Sequence, residues 1–325
     1  MGLDMDKDTK TGKANLEIFS ETLQHMAEAN RDLLVVTSDS RGSGKLVPFA
    51  QRFPDQLVEV GIAEQNLVGV SAGLASAGKQ VFAVSPACFL TARSLEQIKN
   101  DVTYSDNPVT LVGISAGVSY GALGSTHHSL HDYAALRAIH NIIVCAPADN
   151  FETREAVRQA AEIDQPVYLR FGKRPMPLLR EDVPFIFGKA RIIRDGKDIA
   201  IVTTGETVHP ALEAAALLHE SRGVDAMVIS MHTVKPLDTE LLAQVAGTGI
   251  PILTVEEHSV YGGMGEACGS FLLQEGFHNR FRVMGIPDEY TVTGSQQAIF
   301  DHYGINGQGI MELAEQLLGV PLDKG

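Results

Sequence analysis

The chain has 325 residues, 44% of them hydrophobic, and its 26 Lys and Arg against 40 Asp and Glu give a formal net charge of −14. That length allows two domains, each with its own core, and an acidic balance with no Lys/Arg run longer than a pair excludes the electrostatic footprint of a nucleic-acid binder or of a protein seated on an anionic membrane. Cys88, Cys145 and Cys268 are odd in number and far apart, and no apolar run approaches a signal-peptide core or a membrane span, so a soluble protein of the reducing cytoplasm is expected, without a disulfide frame or a structural zinc site.

Residues 1–12 are polar and charged and read as a flexible tail. From Ala14 onward Leu16, Phe19, Leu23, Met26 and Ala27 share one helical stripe, and Asn30, Arg31 and Asp32 interrupt it before the apolar strand 33–36. The alternation continues with strand 57–60, a helix from Ala63, strand 81–84, a helix over 94–100, strand 109–114, a helix over 133–139, strand 142–144, a helix over 151–163 and strand 167–169. Short apolar strands separated by helices predict a parallel sheet covered on both faces, forming a first domain over 13–172. Pro175, Pro177 and Pro184 break any regular element in the linker 173–189. A second series fills 190–325: strand 199–202, a helix whose Val208, Ala211, Leu212, Ala215 and Leu218 share a face and which stops at Gly223, strands 226–229, 252–255 and 281–284, and a last helix over 310–318. The fold class is α/β, with two doubly wound domains.

Several local signatures have competing readings. Gly42-Ser43-Gly44-Lys45 suggests a phosphate-binding loop, but Asp39 stands where its first glycine belongs and Leu46 where a Ser or Thr would hold magnesium. Gly262-Gly263-Met264-Gly265 resembles a dinucleotide loop, yet Cys268 replaces the third glycine, so a tight strand-to-helix turn is expected. Gly113-Ile114-Ser115-Ala116-Gly117 matches a hydrolase nucleophile elbow, but a glycine-rich loop follows instead of the helix the elbow requires. His127, His128 and His131 fall within five residues. They could place two zinc ligands on a helix, form a solvated turn before the helix at Tyr133, or move protons at a substrate oxygen. Glu64 reads either as a helix-dipole acid or as a carboxyl buried beside an apolar ligand, Phe89 as core or stacking platform, and Arg170 as an anion binder or a solvated charge at a strand end.

Taken in order, Val60-Gly61-Ile62-Ala63-Glu64-Gln65-Asn66, Ala72-Gly73-Leu74-Ala75, Phe89 with Arg93, Gly124-Ser125-Thr126-His127, Ala146-Pro147-Ala148-Asp149, Lys235-Pro236-Leu237-Asp238 and Glu256-Glu257-His258-Ser259 resemble the C-terminal half of the thiamine-diphosphate transketolase family, from about Ala14 to the end. The resemblance implies a pyrimidine-binding domain followed by the family's C-terminal domain. It implies that Glu64 hydrogen-bonds the cofactor's aminopyrimidine and promotes the imino tautomer that activates the thiazolium carbon, that Phe89 stacks on the ring, and that Ile62 and Asp39 complete the cofactor contacts. It further implies that His127, with His128 beside it, handles substrate oxygens and that Ser43 and Arg170 bind the anionic end of a sugar, with Arg41 and Lys45 as additional charge.

No Gly-Asp-Gly occurs in the chain, so the diphosphate and its Mg2+ are expected on a separate N-terminal subunit, in an α2β2 assembly, with no metal ligands here. Ser115, Leu123 and Leu16 stand where the family pattern has His, Asp and Arg, which puts the ordinary pentose-phosphate substrates in question and leaves a modified or sulfonated ketose as suitable. The expected reaction is transfer of a two-carbon ketol unit from a ketose to an aldose. The β subunit of a 2-oxoacid dehydrogenase E1 component and a non-catalytic regulatory paralogue are the alternatives.

Overall fold

The computed structural model describes residues 11–319. Its first helix, Asn15–Ala29, buries the predicted stripe of Leu16, Phe19, Leu23 and Ala27, against a sheet of seven strands. Their order is Thr233–Lys235, Ile143–Cys145, Val167–Arg170, Val109–Ile114, Gln80–Pro86, Leu33–Thr37 and Leu57–Glu59. Six of the seven are parallel, with Val84 opposite Thr37 on one side and Val112 on the other. Strands buried on both faces have no polar alternation to keep, which is why Val109–Ile114 is wholly buried and mostly apolar, with Thr110 its one polar residue.

The second sheet has the order Phe281–Ile286, Ile252–Ser259, Ile199–Thr203, Ala226–Ser230 and Arg191–Arg194, with only the last strand antiparallel. Helix Val208–Arg222 ends at Gly223, whose φ of +65° makes the left-handed cap that a glycine accepts without steric cost. Among the described residues no helix is long and apolar enough to cross a membrane.

The structure departs from the predicted boundaries in four places. Thr233–Lys235, from the second half of the chain, pairs antiparallel with Ile143–Cys145 and forms an edge of the first sheet. The proline-rich linker contains Pro175–Pro177, which pairs with Thr11–Ala14, so the last two residues of the predicted tail belong to a strand; residues 1–10 lie outside the described region. The helix expected over 94–100 begins earlier, as Ala87–Arg93, and continues through Leu95–Gln97 into a π-helical segment, Ile98–Tyr104. Asp132–Arg137 replaces the longer helix expected over 133–139.

Buried charges join the two halves. Arg191 Nη1 donates to Glu152 Oε1 at 2.8 Å with both side chains fully buried, and Ser230 Oγ donates to the same oxygen at 2.9 Å. Glu257 Oε1 accepts the Val118 N–H at 3.0 Å, and the Gln296 side-chain amide donates to both Glu206 and Glu257 at 2.8 Å. Burial and the neighbouring Glu257 charge push the Glu206 carboxyl up to about 7.

Candidate active site

The C-terminal ends of Leu33–Thr37, Leu57–Glu59, Gln80–Pro86 and Val109–Ile114 are neighbours at one edge of the first sheet, the position where parallel α/β sheets offer their loops to ligands. The loops that leave them carry most of the residues singled out by sequence.

Glu64 opens helix Glu64–Ser76, and its carboxylate is 5% exposed. A carboxylate in a first helical turn is favoured by the helix dipole. Arg93, at the end of helix Ala87–Arg93, donates through Nη1 to both Glu64 oxygens, at 2.9 and 3.0 Å. The same guanidinium lies 4.0 Å from the centre of the half-buried Phe89 ring. Ile62 is 75% exposed beside them, and the open pocket lined by Ile62, Ala63, Glu64, Gln65, Asn66 and Arg93 has a volume of about 590 Å³.

His127 follows at once. Its ring meets Phe89 edge-on at 5.2 Å and Tyr120 edge-on at 5.5 Å. Nδ1 contacts Thr126 Oγ1 at 3.0 Å, which leaves Nε2 without a hydrogen-bond partner among the described residues. Glu64, Arg93, Phe89, His127 and Tyr120 are therefore one continuous arc of contacts. The sequence gives no sign of Tyr120's place in it, since the residue sits in a glycine-rich loop without periodicity.

On the neighbouring loop Asp39 and Arg41 are exposed and gather around Glu59: the Asp39 N–H donates to Glu59 Oε1 at 2.7 Å, and Arg41 Nε lies 3.3 Å from Oε2. Ser43 is half-buried and donates to the Ser40 carbonyl at 3.2 Å. Asp39, Lys45 and Ser115 all have positive φ, +53°, +58° and +52°. Non-glycine residues rarely adopt that conformation, and it concentrates at functional loops.

Two expectations are corrected. Arg170 does not face solvent as an anion anchor: it is 6% exposed, with Nε donating to Asp132 Oδ2 at 2.8 Å and Nη2 to the carbonyls of Ser129 and Glu257 at 3.1 and 2.8 Å. It ties the His-rich loop to the second domain, and the Arg170 and His258 charges hold the Asp132 carboxyl below its ordinary range despite burial. His128 likewise points inward, with Nδ1 at 2.5 Å from Thr291 Oγ1 and Nε2 at 3.0 Å from the Gly121 carbonyl, and burial lowers its pKa. Leu16, where the family pattern has Arg, is a core residue, 1% exposed. Leu123, by contrast, is 54% exposed on the turn Gly121–Leu123, in the loop that carries Tyr120 and His127.

The competing signatures are settled by their surroundings. The helix begins at Asp132, so His127 and His131 share no helical face, and among the described residues no three His, Cys, Asp or Glu side chains converge on a metal position. Ser115 Oγ is buried without a hydrogen-bond partner among the described residues, so no base stands ready to activate it, and no helix follows. The donors of the Gly262–Gly265 turn are filled from within: Glu256 accepts the N–H groups of Met264 and Gly265 at 2.7 and 2.8 Å.

Residues 12–177 match the family model of the transketolase pyrimidine-binding domain, and residues 188–310 that of the transketolase C-terminal domain. The chain is 45% identical over 298 residues to one of the apulose-4-phosphate transketolase subunits of Phocaeicola vulgatus, covering 91% of this chain and 95% of that one. It is 36% identical over 295 residues to a putative transketolase C-terminal section of Methanocaldococcus jannaschii, covering 90% and 92%. A solved structure of a split gene transketolase, an inactive beta4 tetramer, superposes with a TM-score of 0.84 at 35% identity, covering 95% of this chain and 99% of that one.

Proposed function

This chain belongs to the transketolase family, and on that premise we propose that it is the pyrimidine-side subunit of a two-subunit ketol transferase, moving a two-carbon unit from a ketose to an aldose. The observation that carries this reading is the unbroken arc from Glu64 through Phe89 to His127 beside an open pocket. The residues fit one end of thiamine diphosphate. Glu64 is a sheltered carboxylate whose side-chain partner among the described residues, Arg93, is half-exposed, and Phe89 and Ile62 offer apolar surface to a flat ring.

Thiamine diphosphate, when bound, supplies a nucleophilic carbon able to carry the two-carbon unit. Glu64 would hold the ring through a hydrogen bond and keep a proton within reach of its nitrogen. Phe89 and Ile62 would orient the ring and exclude water, and Asp39 would place negative charge at the rim. His127 Nε2, open on the site side of the loop, would donate to substrate oxygens, and Ser43 with Arg41 would receive the substrate's anionic end. We assign the diphosphate and Mg2+ to a second, Gly-Asp-Gly-containing subunit, in an α2β2 complex. The relative named for apulose 4-phosphate makes that compound the first donor to test.

The test is co-purification of the chain with such a subunit, followed by ketose consumption in the presence of thiamine diphosphate and magnesium, with and without Glu64→Ala. Complex formation and activity that Glu64→Ala abolishes are expected. Full activity of that variant would overturn the assignment.

A further inference from the structure

Segment 287–295 joins strand Phe281–Ile286 to helix Gln296–Tyr303, and Thr291 is its only buried residue. Thr291 is 7% exposed between Tyr290 and Val292, which are 92% and 37% exposed. An irregular segment that buries one polar side chain and nothing apolar does so for hydrogen bonds. Thr291 Oγ1 has two partners, His128 Nδ1 at 2.5 Å and Ser125 Oγ at 3.0 Å. One hydroxyl of the second domain thus grips the two residues of the first-domain loop that stand on either side of Thr126 and His127.

The donors and acceptors fix the direction of these bonds. His128 Nε2 is 3.0 Å from the Gly121 carbonyl, which can only accept, so Nε2 carries a hydrogen. Burial lowers the His128 pKa and favours the neutral ring, whose Nδ1 is then a bare acceptor. The Thr291 O–H therefore donates to Nδ1, and a lone pair on the same oxygen accepts the Ser125 O–H. The chain runs from Ser125 through Thr291 and His128 to the Gly121 carbonyl and is satisfied at every step.

Backbone packing leaves little slack around it. A Cβ on Gly121, at φ +45°, would collide with the Gly294 carbonyl oxygen, and one on Gly124, at φ +73°, would lie 3.0 Å from Thr293 Cγ2. The His127 and His128 N–H groups both donate to the Gly124 carbonyl, at 2.9 and 3.2 Å. Just beyond the segment, Gln296 is anchored on Glu206 and Glu257. A polar staple between two domains can be ordinary packing. Here its two grips bracket His127, whose ring meets Phe89 and Tyr120 edge-on and leaves Nε2 open.

We propose that Thr291 is a positioning residue: through Ser125 and His128 it sets the backbone from which His127 presents Nε2, so that the second domain acts on the site without touching substrate. The proposal deepens the ketol-transfer reading and rests on it only for its kinetic arm, since the imidazole signals are read without turnover.

The full-length chain, labelled with 15N at histidine, is followed by long-range 1H–15N spectra at neutral pH, with His127→Gln and His128→Gln assigning the two rings. His128 is expected as the Nε2–H tautomer. The His127 signals are displaced in Thr291→Val, restored in Thr291→Ser, and displaced in Ser125→Ala, which releases the other grip. In the reconstituted complex Thr291→Val lowers kcat about tenfold with KM for the ketose within about twofold, and Thr291→Ser recovers most of the loss. Unmoved His127 signals in both Thr291→Val and Ser125→Ala, wild-type kcat in Thr291→Val, or an equal loss in Thr291→Ser overturns the positioning role. An Nδ1–H tautomer of His128 overturns the hydrogen-bond chain. A complex without ketol transfer, with the His127 signals still answering to Thr291, refutes the reaction and leaves the staple standing.

Discussion

One nitrogen of Arg93 donates to both oxygens of Glu64, at 2.9 and 3.0 Å, while the same guanidinium covers the face of Phe89 at 4.0 Å. A single side chain thus bridges the acid and the aromatic that the proposed chemistry needs side by side. Because Arg93 is 48% exposed, solvent screens the pair and its contribution to stability is small.

Glu64→Gln separates fold from chemistry. The amide oxygen still accepts from Arg93, so the thermal midpoint should stay within about 2 °C, whereas loss of the carboxylate should lower activity of the reconstituted complex about 10²- to 10⁴-fold. A variant that melts far below the parent would assign Glu64 to structure instead.

Arg170 behaves oppositely. Arg170→Met leaves Asp132 and Glu257, both buried, without their cation, and removing one partner of a buried pair costs about 3–5 kcal/mol. Urea unfolding of the full chain should reveal that loss; a change under about 1 kcal/mol would mean that the network relaxes or admits water.

His258 and His232 each contribute a part of the stability that is lost on acidification. Burial, the largest cause in each, lowers their pKa values from 6.5 to about 4 and about 3. His258 stacks on Tyr133 at 4.9 Å and His232 on Phe185 at 4.2 Å. Between these values and 6.5 the unfolded chain binds protons that the two folded histidines refuse, so their contribution is full above about 6.5 and is lost as the pH falls toward 4, while buried carboxyls raised to about 7, Glu206 and Glu256, act with the opposite sign over the same range. Unfolding free energies of the wild type and His258→Gln at pH 7 and pH 5 isolate its part: the loss of stability on going from pH 7 to pH 5 should be smaller in the variant than in the wild type. An equal loss in both would show that His258 does not contribute to it.

Gly117→Ala tests the junction between the loop and the second domain. Gly117 has φ +60°, and a Cβ there would run into the Glu257 carboxylate that accepts the Val118 N–H. The backbone conformation alone costs about 1 kcal/mol or more, and displacement of Glu257 adds to it, so denaturant unfolding should show a loss of about 2 kcal/mol or more. Wild-type stability would mean that Glu257 moves without penalty.

The parallel core was legible because strands such as Gln80–Pro86 and Val109–Ile114 are buried on both faces and are mostly apolar, which leaves a mark in any single sequence. The edges left none. Pro175–Pro177 and Thr233–Lys235 are three residues long, carry prolines or polar side chains, and pair with segments more than 85 positions away. The orientation of a side chain was equally hidden: His127 and His128 are adjacent, yet one opens onto Phe89 and the other closes onto Thr291.

The order of apolar runs and the series from Gly61 to Ser259 by themselves determined two α/β domains, the family, and the candidates Glu64, Phe89 and His127. Only the tertiary structure decided that Arg170 is spent inside the protein while Tyr120 and Lys173, 53 positions apart, meet at the open end of the site. The reason is physical. Apolar periodicity follows from local geometry and is written along the chain, whereas the partner of a charge is whatever the folded chain brings within a few ångströms, and no local pattern encodes that distance.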